Sequence, residues 1–162
     1  MMFRSLTITL AAASLLVSSA NARTSFGGNA CTVVSTKQVA AFGISGPCKL
    51  TKHSVAGLTS SIGIWNLTSR TAHLSIAVNT YSSKSGPYWQ VAMKTLDKLP
   101  GPAKKVKGIG SLAYESGGAG STISAINFVV GNRVVSINMR TSIAPKSLQA
   151  FTAMAKSVAA KL

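Results

Sequence analysis

Hydrophobic and polar positions change period several times along the chain. Leu74, Ile76 and Val78 alternate with Ser75 and Asn79, a period of two that predicts a half-buried strand over residues 73–80. Ile126, Phe128 and Val130 repeat that pattern, and so do Val135, Ile137 and Met139 after a Gly131-Asn132 turn. Gly at the first central position suits a type II′ turn, so these two runs form a hairpin. Residues 62–67 and 112–115 are further strand candidates. Residues 50–55 are a third, with poor alternation.

Elsewhere the period is 3.6. Ser35 and Gln38 have the spacing of a capping box, Val39, Ala40, Ala41 and Phe42 follow, and Gly43 supplies a left-handed stop. Pro87 suits a first helical position; Trp89, Ala92, Met93 and Leu96 then share one helical face, and Pro100-Gly-Pro102 ends the run. A last helix opens at Pro145 and stacks Leu148, Phe151, Ala155, Val158 and Leu162 on one side. Strands joined by hairpins, with a few amphipathic helices, predict an α+β domain: a single antiparallel sheet with helices packed on one face, a short N-terminal helix and a long C-terminal one.

The first residues are not part of that domain. Arg4 precedes an apolar run over residues 6–17, and Ala20-Asn21-Ala22 places small residues where a signal peptidase reads them. A run of 12 residues is too short to span roughly 30 Å of hydrocarbon. Residues 1–22 therefore read as a cleaved export signal, residues 23–30 as a flexible lead-in, and residues 31–162 as one domain. No transmembrane segment is expected in the mature chain, and Cys31 is too far from the apolar run to be a lipidation site. Export places the two cysteines in an oxidising setting, so Cys31 and Cys48, which enclose 16 residues, are expected to form a disulfide.

Charge changes the picture most. The 162 residues carry 17 Lys and Arg against two acids, Asp97 and Glu115, for a net charge of +15. Removing 22 residues takes away Arg4 alone and leaves 140 residues at +14. With two carboxylates, oxygen-rich calcium and magnesium sites are nearly excluded. Two cysteines and two scattered histidines make no zinc spacing, so no metal or cofactor is expected. A serine hydrolase would need His53 or His73 beside an acid, and the Gly-x-Ser-x-Gly elbow is missing. A glycosidase would need Asp97 and Glu115 to converge. Asp97 reads instead as a surface residue between Lys94 and Lys98, Glu115 as an exposed acid at a strand end, and both histidines as solvated strand residues. Gly108-x-Gly110-x-x-Ala113 matches a dinucleotide fingerprint only superficially, because it leads into a strand.

The segment from residue 106 to residue 114, Val-Lys-Gly-Ile-Gly-Ser-Leu-Ala-Tyr, follows a Cys-flanked capped helix and precedes a hairpin and a terminal helix. This order resembles a family of small secreted bacterial proteins and lipoproteins of unknown function, best represented in actinobacteria. Ser111 stands where that family commonly has Asp. The resemblance implies an α+β fold similar to the PsbP and Mog1 group, with no accepted enzymatic activity and no catalytic residues to transfer.

Binding is therefore the expected role. Lys104, Lys105 and Lys107 form the one concentrated run of cations, spaced to meet clustered sulfates, phosphates or carboxylates. Nucleic acid fits poorly, since single-strand binders set aromatics among the cations to stack bases, whereas Trp65, Trp89, Phe128 and Phe151 read as core. The expectation is a non-enzymatic exported domain that associates with an anionic cell-envelope polymer. The alternative is an accessory or inhibitor module that docks on an acidic protein surface.

Overall fold

In the computed structural model of the chain, residues 26–66, 72–99, 103–117, 123–141 and 148–162 are described. The expected leader at residues 1–22, the expected stop at residues 100–102, the Gly-rich stretch 118–120 and Pro145 lie outside them. Two antiparallel meanders make up one seven-stranded sheet. The first contains β1 (Lys49–Val55), β2 (Leu58–Asn66) and β3 (Ala72–Tyr81). The second contains β4 (Lys104–Lys105), β5 (Leu112–Ser116), β6 (Ile123–Val130) and β7 (Arg133–Thr141). They meet where β3 pairs with β7, giving the order β1-β2-β3-β7-β6-β5-β4.

Side chains alternate across this sheet, so each strand feeds two faces. The major face receives Trp65, Leu74, Ile76, Val78, Ala113, Ile126, Phe128, Val135, Ile137 and Met139, all buried in one cluster. Over it lie α1 (Thr36–Ala40) and α3 (Leu148–Lys161), whose Phe151, Met154, Ala155 and Val158 are buried there. α1 keeps its capping box: Gln38 N–H donates to Ser35 Oγ at 3.2 Å, and Ser35 N–H to Gln38 Oε1 at 2.8 Å. A 3-10 turn, Ala30–Thr32, completes the cover.

The sheet carries helices on both faces, whereas the sequence pattern placed them on one. α2 (Pro87–Asp97) packs its Trp89, Ala92, Met93 and Leu96 with Tyr81, Val129 and Val134, strand positions that face away from the major core. Topology requires this. The chain leaves β3 at the centre and re-enters at β4 on the edge, four strand spacings or about 19 Å away. With α1 and α3 filling the major face, the 11-residue helix makes that passage across the minor one.

Residues 26–30 are also not a free lead-in. Ala30 is fully buried, and its N–H donates to Ser61 Oγ at 3.0 Å. Phe26 packs on the core and lies under the Arg133 guanidinium, 5.6 Å from ring centroid to Cζ. Arg133 also donates to the Leu162 main-chain oxygen, so one side chain ties the N-terminal segment to the last residue. Cys31 and Cys48 form the expected disulfide, with Cα atoms 5.8 Å apart. It presses on β2 at Gly63, where an added Cβ would lie 3.0 Å from Cys48 Sγ and 3.2 Å from the Ala30 carbonyl carbon.

The Gly108-Ile-Gly sequence is structural. Ile109 is buried in the major core. Gly110, at φ +56°, lies so close to β6 that a Cβ would come within 2.0 Å of the Val129 carbonyl oxygen. Ser111 N–H donates to that oxygen at 2.8 Å.

Two stability predictions follow from these contacts. Gly110→Ala is expected to cost about 3 kcal/mol or more, by chemical denaturation, because both the backbone angle and the approach to β6 forbid a Cβ. A loss below about 1 kcal/mol would contradict that approach. Replacing both cysteines by Ser is expected to cost about 3 kcal/mol by releasing the 16-residue loop; an unchanged denaturation midpoint would remove the disulfide from the account.

Candidate functional site

Residues 104–111 are held along the β5 edge of the sheet. Lys104 and Lys105 form β4 and pair with Glu115 and Tyr114. Val106 N–H then donates to the Ala113 oxygen at 2.9 Å, and Ile109 plugs into the core. Lys104, Lys105 and Lys107 are all exposed on this anchored segment. Strand alternation separates the first two: Lys104 sits opposite Glu115 on the major side, Lys105 opposite Tyr114 on the minor side. α3 contributes a cation that the sequence did not single out. Lys156 Nζ would lie 3.9 Å from a Cβ on Gly108, beside the basic run. No local sequence signal links residues 48 positions apart; only the packing of α3 does.

Both acids of the chain are at this same edge. Glu115 is not an exposed strand end; it is 9 % exposed and faces the major core. Burial raises its pKa above the ordinary 4.5, while the Lys104 charge pulls the other way. Asp97, at the end of α2, accepts a hydrogen bond from the Tyr114 hydroxyl at 3.3 Å. Desolvation first, and the Asp97 charge and hydrogen bond next, raise the Tyr114 pKa. Tyr114 and Glu115 are consecutive strand residues, so the two carboxylates lie on opposite faces of the sheet. They cannot flank one substrate as a glycosidase pair.

The histidines do not converge either. His53 pairs with Ser60, which pairs with Asn79, whereas His73 is six residues further along β3 and pairs with Asn66. That separation is about 20 Å along the strand direction. Among the described residues no group of three or more His, Cys, Asp or Glu could hold a metal. A cleft of about 190 Å³ opens beside the disulfide, lined by Val34, Val39, Ile44, Pro47 and Trp65 among others. It contains no titratable side chain, and it is smaller than the usual ligand pocket of about 300 Å³ or more.

What the surface does show is unbalanced charge. Arg4, Arg23, Arg70 and Lys146 lie outside the described residues, and of the other 13 cations only Arg133 is not exposed. No helix among the described residues is long and apolar enough to cross a membrane. No protein family, curated protein or solved structure matches the chain.

The Glu115 environment predicts a pH dependence. A carboxyl whose pKa is higher folded than unfolded favours the folded state below its ordinary pKa, and that contribution is lost as pH rises through the raised value. Glu115→Gln is thus expected to raise the thermal midpoint at pH 7 and to lose that advantage below about pH 4. Lys104→Ala is expected to lower the midpoint at pH 7 and not at pH 3. A Glu115→Gln effect that is the same at both pH values would mean that ionisation of this group is not involved.

Proposed function

We propose that the protein is a non-enzymatic exported domain that associates with an anionic cell-envelope polymer through exposed lysines, with Lys104, Lys105, Lys107 and Lys156 as its densest stretch. The observation that carries this reading is the surface itself: twelve described Lys and Arg side chains are exposed, and the only two carboxylate side chains are gathered on either side of β5. Export is supported by the leader at residues 1–22 and by the Cys31–Cys48 disulfide, a bond suited to an oxidising compartment.

The physics favours a polymer over a small anion. Lys104 and Lys105 project to opposite sides of the sheet edge, and the cleft beside the disulfide is lined by no cation. A polyanion winding over the edge can meet cations on both sides, releasing condensed counterions as it does so. Such binding is long-ranged, tolerant of ligand sequence and steeply salt-dependent. The neighbouring Glu115 and Asp97 lower the local potential, so binding also draws on cations elsewhere on the surface.

Retention on immobilised heparin, a sulfated stand-in for such a polymer, tests the reading. The protein is expected to elute well above physiological salt. Replacing Lys104, Lys105 and Lys107 by Ala is expected to flatten the slope of log K against log salt by about two to three. Elution in dilute buffer would overturn polyanion binding, and an unchanged slope in the triple variant would remove these three residues from it.

A further inference from the structure

The opposite edge of the sheet carries a different feature. β1 has seven residues, all exposed, and no strand beyond it among the described residues. We propose that β1 is a docking edge that takes an extended, acidic segment of a partner protein as an eighth strand. This rests on the backbone of one strand and stands apart from polymer binding at the β4 edge.

The backbone supplies the vacant ladder. Tyr81 N–H donates to the Asn132 oxygen at 3.0 Å, on the β7 side of β3. Its β2 partner, Leu58, therefore turns its own N–H and C=O toward β1, where it pairs with Val55 across the two-residue turn. Alternation from that closing pair points the polar groups of Val55, His53, Thr51 and Lys49 at β2. Those of Ser54, Lys52 and Leu50 point outward. Each residue of β1 has one partner in β2, so no bulge interrupts the row.

Side chains add an apolar anchor. The large apolar side chains that are exposed among the described residues are Leu50, Val55, Tyr88 and Val91. Two of these four are on β1. Tyr88 lies against the β1–β2 turn, since a Cβ on Gly57 would be 3.8 Å from its Cδ2. Val91 follows Tyr88 by three residues on the same helical side. The hairpin end of β1 thus adjoins an exposed apolar face of α2.

Charge selects the occupant. Lys49 and Lys52 are on β1, whereas both carboxylates flank β5, five strand spacings or about 24 Å away. That is roughly three Debye lengths at physiological salt, so neither acid offsets these lysines. A second copy pairing antiparallel about the strand centre would set Lys52 against Lys52, a like-charge pair that opposes self-association. An acidic strand meets attraction at the same positions. Lysines alone serve to guard an edge, as they do on β4, but that edge is two residues long. A seven-residue, unbulged edge with exposed Leu50 and Val55 is more than a guarded one requires.

The test titrates the protein with a short peptide of alternating Val and Glu and with its Val–Lys counterpart, read by fluorescence anisotropy and amide hydrogen exchange. The Glu peptide is expected to bind about tenfold tighter or more, and the amides of Leu50, Lys52 and Ser54 are expected to gain protection. Ser54→Pro removes an outward N–H that β2 does not use and leaves the charge unchanged. It is expected to weaken the Glu peptide about tenfold, while Ser54→Ala retains binding and heparin retention is the same in both. Equal peptide affinity for the two Ser54 variants would overturn the proposal. So would protection at β4 in place of β1, or a dimer paired through β1 in sedimentation.

Discussion

The pairing of β3 with β7 is the constraint on which the rest of the molecule depends. Residues 72–80 and 133–141 are joined in one register that sets Leu74 opposite Met139, Ile76 opposite Ile137 and Val78 opposite Val135. All six side chains are essentially inaccessible. A slip of one residue would turn the three side chains of one strand away from the core and bring Ser75 and Ala77, or Ser136 and Asn138, in their place. The alternation is strict, so each meander is locked to the other before any helix is placed. Everything else follows outward: α3 caps the major face, α2 must cross the minor one, and the two ends of the sheet order become edges.

Charge is arranged around those edges. An exposed sheet edge invites pairing with other chains, and lysine is a common deterrent. Lys49 and Lys52 stand at one end of the sheet order, Lys104 and Lys105 at the other. The two carboxylates are not spread to neutralise this surface; they are spent at β5. Glu115 is buried beside Lys104, and Asp97 holds the Tyr114 hydroxyl at the end of α2. The β4 edge is in this way partly compensated, and the β1 edge is not. The two ends of one sheet thus offer different electrostatics: a mixed-charge stretch of cations with adjacent acids, and a purely basic strand.

Much of the fold was legible because its strongest signals are local. The alternation of Leu74, Ile76 and Val78, the Gly131 turn, the Ser35–Gln38 box and Pro87 each mark an element that the structure contains. The disulfide followed from cysteine parity and from the expectation of export. What stayed hidden depends on the arrangement of elements in space. Nothing within α2 says which face of the sheet it covers; that is fixed by α1 and α3, which occupy the major face and leave the minor one for the passage to β4. Nothing near Ala30 reveals that its N–H reaches Ser61. Glu115 looked exposed because a Gly-rich stretch follows it, yet its strand parity aims it at the core with Ala113. Of the candidate site, the sequence showed the run Lys104, Lys105 and Lys107. It showed neither the opposed directions of the first two nor the approach of Lys156.

β1 joins these threads. Its pattern, Lys-Leu-Thr-Lys-His-Ser-Val, has no clean alternation, and for that reason it was the faintest strand in the sequence. The physical cause is now plain: a strand that buries neither face has no need for a period of two. Its place at the end of the sheet order separately leaves the backbone of Leu50, Lys52 and Ser54 turned away from β2. In an ordinary edge strand the inner face packs on the core, and hydrophobic burial holds the strand in place. Here the strand is held by its hydrogen bonds to β2, by the tight turn at Gly57 and by the disulfide at Cys48, the residue before it. Covalent tethering supplies what burial does not, so the edge can remain extended and open without a core of its own.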